Sequence, residues 1–182
     1  MRVGKRGGKQ HERDVLKGLV AGVIGGLVAS VVMTQFQTLW SKLADDDEQA
    51  QGKKKKKKSQ EEEGDGDATV KAAEAISEGV FDHELTKSEE KIAGPAVHYA
   101  MGATSGALYG AMAELTPFVT IGAGLPFGAA VWLAADEAAV PALGLSESPT
   151  EVPLSTHAYA LVSHFVYGVT TEVVRRAVRN VL

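Results

Sequence analysis

Charged side chains fall along this chain in blocks. No Asp, Glu, Lys or Arg occurs from Gly18 to Ser41, Ile92 to Ala113, Leu115 to Ala135 or Val152 to Thr171, runs of 24, 22, 21 and 20 residues. A helix of ~20 apolar residues is long enough to cross the hydrocarbon core of a bilayer. The pattern therefore predicts an all-α, polytopic membrane protein with four transmembrane helices, at residues 16–40, 95–114, 117–138 and 155–174.

The segments between the runs have different characters. Residues 1–15 read as a basic cytoplasmic tail. Together with Lys17 this end carries Arg2, Lys5, Arg6, Lys9 and Arg13 against Glu12 and Asp14. The apolar run behind it is longer than a signal-peptide core and has no A-x-A-like site after it, so an uncleaved first span is expected. Residues 41–67 form a low-complexity charged stretch with no apolar face, expected to be a disordered linker. Its six lysines, Lys53 to Lys58, are flanked by acidic blocks and read as solvated. From 68 to 92, Val70, Ala73, Ile76 and Val80 recur at helical spacing and predict an amphipathic helix in the first loop. Thr86-Lys87-Ser88-Glu89 has the form of a capping box and starts a new helix. Pro95 is expected in the first turn of the second span, and Thr116-Pro117 marks a tight hairpin into the third. Gly122, Gly124 and Pro126 predict a kink or partial break there. Residues 93–182 thus hold spans two to four and a basic C-terminus.

Composition narrows the chemistry. The chain of 182 residues has no cysteine, so disulfides, thiolate metal sites and cysteine nucleophiles are excluded. A net charge of −4 gives no global footprint for nucleic acid. Nine Lys/Arg flank the terminal spans and none lies in the loop 141–155, which places both termini in the cytoplasm by the positive-inside rule. The ten lysines of residues 41–91 work against that orientation, although most lie far from a helix end.

Two constellations stand out. Small residues recur every fourth position: Gly18, Gly22 and Gly26 with Ser30 in the first span, Gly102, Gly106 and Gly110 in the second, and Gly124 and Gly128 in the third. In lipid, small residues let helix backbones approach and accumulate dispersion contacts. Such faces serve packing within one bundle or association between copies. Ionisable residues form the second constellation. His98, Asp136, Glu137 and His157 fall at an outer level, His164 near mid-membrane, and Glu114 and Glu172 at an inner level beside Arg175. Intramembrane ionisable groups are costly and mark paired or functional positions. His164 is expected to face the bundle interior, uncharged, with no carboxylate close to it. A metal site from His98, His157 and Asp136 or Glu137 would have acceptable ligand types but no recognised spacing, so no metal and no cofactor are expected.

The distal half resembles the YagU-like family of bacterial inner-membrane proteins. The residues that carry the resemblance are His98 in GPAVHYAMG, Tyr109-Gly110, Ala113-Glu114, Pro141, Leu143-Gly144-Leu145, Pro149, Ser163-His164, Glu172 and Arg175-Arg176, with the Gly/Ala-rich first span LVAGVIGGLVASVV. The resemblance implies a multi-pass bundle in the bacterial inner membrane and implies no reaction. No nucleophile–base pair, phosphate loop or dinucleotide motif is present, and the chain is not expected to be an enzyme. Its expected partners are the lipid bilayer and, through a glycine face, a second copy of itself, with no nucleic acid and no known small-molecule ligand. The expected function is action through helix packing and association in the membrane; the alternative is a proton- or ion-conducting, acid-responsive element built on the histidine/carboxylate ladder.

Overall fold

The computed structural model describes residues 4–50 and 65–182, with side chains from 12–43 and 68–182. The linker lysines Lys53–Lys58 lie outside the described residues. The fold is all-α, with no strand among the described residues. Its elements are α1 (Gly4–Ala50), α2 (Asp65–Phe81), α3 (Lys87–Leu115), a 3-10 turn (Pro117–Thr120), α4 (Leu125–Ala134), a π-helical turn (Ala135–Ala139), α5 (Val140–Ala142) and α6 (Leu154–Val181).

Helix α1 is the axis of the bundle. Helices α3 and α6 both pack along it in the opposite direction, α2 lies on α3, and α4 lies on α6. Gly18, Gly22 and Gly26 of α1 face the backbones of Gly110, Gly106 and Gly102 of α3, in antiparallel register. Gly25, on another side of α1, meets the backbone of Thr171 in α6. Gly128 of α4 meets His164 and Gly168 in the same way. With no Cβ at the contact, whole helix backbones come together and every short-range contact along the crossing is gained at once.

Several boundaries differ from the sequence expectation. Helix α1 runs on to Ala50, so the first ten residues assigned to a disordered linker are helical. The chain from Gly18 onward has no helix breaker there, and the helix propagates through Asp45–Glu48 because extending a formed helix costs little. Helix α3 begins at Lys87, where Thr86 and Glu89 make the capping box reciprocally. The helix then continues through Pro95, which therefore lies inside it and not in its first turn. Nucleation at a strong cap upstream outweighs the one hydrogen bond that proline removes.

The third predicted span is not one straight helix. After the 3-10 turn the chain passes through Gly122 (φ +80°), Ala123 (φ +54°) and Gly124 (φ +89°) before α4 starts. Three successive left-handed residues cannot belong to a right-handed helix. Gly124 has a second reason to lack a side chain, because its backbone lies against Gly168 and the Glu172 Cβ. From Leu125 the helical path continues through the π turn to Ala142, ~27 Å at ~1.5 Å per residue.

The buried face of α2 is also not the one the apolar spacing suggested. Ala68, Thr69, Ala73 and Ser77 are buried, whereas Ile76, Val80 and Phe81 are exposed. Small residues win the contact because the α2–α3 approach is close: a Cβ on Gly94 would stand 2.7 Å from Val70 Cγ2.

Polar side chains share the interior with apolar ones: Ala21, Ala29, Met33, Tyr109 and Tyr167 are buried alongside Ser30, Ser163, His164, Thr171 and Glu172. The fully buried larger side chains are Glu172, Thr171, Ser30 and Ser163, while Leu19, Leu27, Val31, Met101, Leu108, Leu133 and Val173 face outward. Among the described residues one helix, Glu12–Leu43, is long and apolar enough by itself to cross a membrane. Helices α3 and α6 are long enough, but the Gly, Ser, Thr, His and Tyr residues of their inner faces dilute their apolar character.

Candidate functional site: a row of paired charges along helix α6

Helix α6 carries His157, His164, Glu172, Arg175 and Arg179 on its inward faces and Arg176 on an exposed one. Glu172 pairs with Arg175 and Arg176 of the same helix, and the π turn, α3 and α1 supply the other counter-groups. From His157 to Arg179 the row extends ~33 Å at ~1.5 Å per residue, close to the ~30 Å of a bilayer core.

The upper pairs come from the π turn. A π-helical turn has one residue more per turn than an α-helix, and here it turns two consecutive carboxylates, Asp136 and Glu137, toward histidines seven residues apart on α6. Glu137 Oε1 lies 2.5 Å from His157 Nδ1. The other ring nitrogen, Nε2, donates to the Pro149 carbonyl at 2.9 Å. A carbonyl only accepts, so the contact with Pro149 requires a proton on Nε2, and a hydrogen bond to Glu137 at the same time requires a second proton on Nδ1 or on the carboxylate. His164, with a side chain 8% exposed, has its Nδ1 3.5 Å from Asp136 Oδ2. The same Nδ1–H donates to the Ala160 carbonyl at 2.9 Å. His164 does face the interior, but the expectation that no carboxylate would come near it is overturned. The π turn draws Asp136 deeper than a regular helix would place it. With that carboxylate beside the ring, the argument for an uncharged imidazole loses its premise.

Below His164 the row becomes hydroxylic. The Tyr167 hydroxyl donates to the Gly102 carbonyl of α3 at 2.8 Å and lies 2.8 Å from Ser105 Oγ. Phe127 of α4 packs against Tyr167 and stacks on Tyr109 with ring centroids 4.2 Å apart. Thr171 is fully buried and donates to its own helix at Tyr167 O.

The lower pairs involve arginines. Glu172 is 1% exposed and accepts from Arg175 Nε at 2.7 Å and Nη2 at 3.0 Å. Arg176 also donates to it. The Arg175 guanidinium lies 5.8 Å from the centre of the Tyr109 ring, within cation–π range. At the end of the row, Glu114 of α3 accepts from Arg179 at 2.7 Å and 3.2 Å, and Asp14 of α1 adds a contact at 3.3 Å. The Glu114 carboxylate holds the Arg179 guanidinium above its already high ordinary pKa, so this end of the bundle stays charged.

Of the residues singled out in the sequence, Asp136, Glu137, His157 and His164 are brought together, Glu172 sits in its own arginine clamp, and Glu114 meets Arg179. His98 is half-buried on α3 with its ring against Tyr99 at 5.5 Å. Among the described residues no group of three or more His, Asp or Glu side chains is placed to hold a metal ion. The glycines Gly18, Gly22, Gly26, Gly102, Gly106, Gly110, Gly124 and Gly128 face other backbones of the same chain. Sequence reasoning missed Asp14, Arg179, Ser105 and Tyr167. Arg175 and Arg176 follow Glu172 at helical spacing and could have been read as its partners, whereas the contacts of Arg179 and Tyr167 cross between helices.

Comparison with known proteins gives one match. The family described as a protein of unknown function (DUF1440) matches residues 75–173, just over half of the chain. No curated protein and no solved structure matches.

Proposed function

The chain belongs to this family of unknown function, and from the row of charges on α6 we propose that it is a polytopic membrane protein whose function is proton transfer or proton sensing within the bilayer. In this reading the protein is YagU-like and lies in the bacterial inner membrane. The chain crosses four times, through α1, α3, the segment from Pro117 to α5, and α6. Both termini are cytoplasmic, so His157 is at the outer end of the row and Arg179 at the inner end.

The observation that carries this reading is what the bundle covers and what it exposes. It buries His164, hydroxyls and a clamped carboxylate, half-buries Asp136, Glu137 and His157, and turns many of its large aliphatic side chains outward. In water that arrangement would expose apolar surface and desolvate charge, both unfavourable. Against lipid both features are explained, and intramembrane ionisable rows mark proton and ion pathways. Imidazole–carboxylate pairs lie at the outer end of the row and arginine–carboxylate pairs at the inner end. Association through a glycine face is the less favoured function, because the glycines of α1, α3 and α4 are already used against neighbouring helices of the same chain.

The test is proton flux into liposomes holding the purified protein and a pH-sensitive dye, driven by an acid exterior. His164→Gln keeps a hydrogen-bonding side chain that cannot titrate, and it should lower the protein-dependent flux at least tenfold. Flux equal to that of the parent would overturn the reading.

A further inference from the structure

The loop from Leu143 to Pro153 leads from the π turn and α5 to α6 and meets the outer end of the row at His157. Its own bonds are short-range: the Ser148 N–H donates to the Glu151 carboxylate at 3.3 Å, Ser148 and Thr150 hydroxyls meet at 3.0 Å, and Ser146 Oγ donates to the Glu147 carbonyl at 3.2 Å. At its near end Leu143, Gly144 and Leu145 N–H donate to the carbonyls of Ala139, Pro141 and Val140; at its far end the Pro149 carbonyl accepts from His157 Nε2, with the Val152 backbone beside the same ring. The opposite nitrogen of that ring is engaged by Glu137 at 2.5 Å. One imidazole therefore joins three elements: the π turn, α6 and the loop.

We propose that this loop is the outer lid of the charge row and that the His157–Glu137 pair is a proton-operated latch for it. This rests on the reading of the row as a proton path and states how that path is regulated. The latch follows from counting protons at the two ring nitrogens. While the pair keeps its shared proton, the ring meets Glu137 and Pro149 together, whether that proton sits on nitrogen or on the carboxylate. When the pair loses it, one nitrogen becomes a lone pair. If Nδ1 is bare it faces an anionic carboxylate at 2.5 Å; if Nε2 is bare it faces a carbonyl oxygen at 2.9 Å. Both arrangements are repulsive, so one contact must open. Of the two, the carbonyl belongs to a loop and yields more easily than a helical turn packed on α6. The charged group facing His157 from the π turn is Glu137. Its neighbour Asp136 is directed to His164, and Glu151 of the loop turns back to Ser148. The lid is closed while the pair is protonated and is released when the outer side becomes alkaline.

The chain has no cysteine, so one introduced at Ser146 gives a single labelling site. With a nitroxide on Ser146→Cys in the full chain, in lipid nanodiscs, the spin-label line shape is recorded from pH 5 to pH 9. The expected result is an immobile loop at acid pH and a mobile one at alkaline pH. Adding His157→Ala should leave the loop mobile at every pH. Adding Glu137→Gln should leave it immobile at every pH, since the glutamine amide donates to Nδ1 of a neutral ring while Nε2–H keeps Pro149. A parent loop with no transition, or a transition that persists in either variant, would overturn the latch. The readout is independent of flux. A loop transition without proton flux in the liposome test would sink the row as a path and leave the latch standing, and flux without a loop transition would do the reverse.

Discussion

Placing a single methyl at Gly106 tests the packing from which everything else follows. Its Cβ would stand 2.8 Å from the Cα and 2.9 Å from the N of Gly26, and closer still to the Gly22 carbonyl oxygen, where ordinary contact begins at 3.4 Å. The obstacles are backbone atoms on both counts, so no side-chain rotation relieves them. Helices α1 and α3 must therefore separate by about 1 Å, enough to forfeit a quarter to a half of each dispersion contact along the crossing. Overpacking of this kind costs about 1–3 kcal/mol, offset by roughly 0.8–1 kcal/mol from replacing glycine by alanine inside a helix. Gly106→Ala should then be destabilising by up to about 2 kcal/mol net, and Gly106→Leu by more. For a chain of this size that corresponds to a fall of up to roughly 8 °C in Tm, followed in detergent by circular dichroism and by the fluorescence of Trp40, whose ring packs on Tyr159 of α6 at 5.9 Å. Gly79→Ala is the control: it lies in a helix with nothing within 4 Å of its would-be Cβ and should be neutral or slightly stabilising. A Gly106→Ala protein that melts with or above the Gly79→Ala control would refute the close α1–α3 crossing.

Three further outcomes are expected. Glu172→Gln removes the carboxylate that compensates the buried Arg175 and should destabilise the bundle by about 3–5 kcal/mol, whereas replacing both residues with leucine should recover most of that loss; chemical denaturation of the three proteins measures the difference. Tyr167→Phe withdraws the hydroxyl from the Gly102 carbonyl, to which it donates at 2.8 Å, and should cost about 1 kcal/mol in the same assay with helicity unchanged. At the start of α3, the Thr86 N–H and hydroxyl beside Glu89 hold its carboxyl below the usual value. The stabilisation of this turn is therefore full above the unfolded carboxylate's pKa and is lost as pH falls through the lower folded value. Amide exchange at Glu89 and Glu90 should quicken on acidification in the parent and become insensitive to it in Thr86→Ala.

How much of this could be read from the residues depended on the range of the interaction. The capping box at Thr86–Glu89 and the break around Gly122–Gly124 were legible because each is decided within a few residues, by local hydrogen bonding or by sign of φ. The glycine spacing was visible too, but the partner of each ridge was not, since Gly22 offers the same small surface to any helix that reaches it. For α2 the expectation went to the most apolar stripe. The contact keeps Ala73 and Val70 of that stripe but takes Thr69 and Ser77 where Ile76 and Val80 were expected, because closeness of approach outweighed hydrophobicity. The continuation of α1 to Ala50 was hidden by composition: a charged, low-complexity stretch has no face to bury, yet it needs none when it extends an existing helix. The π turn was hidden because no residue type encodes it. Ala135–Ala139 reads as ordinary helix, and its extra residue per turn is what sends Asp136 to His164 and Glu137 to His157.

The glycine crossings and the charge row are two consequences of one packing choice. A helix pair held apart by leucine side chains keeps its axes ~8–10 Å apart and screens each backbone from its neighbour. Here glycines remove that screen, and short polar groups reach across it: Tyr167 bonds directly to a carbonyl of α3, and Gly124 lets the start of α4 lie against Glu172. Buried charges require partners at fixed distance, and backbone-to-backbone contact fixes distance better than flexible side chains do. The large apolar residues displaced from the interior then have only the outer surface left to occupy. Glycine and charge inside, with aliphatic side chains outside, is the distribution that the proposed membrane location calls for, and so the fold and that proposal stand on the same packing.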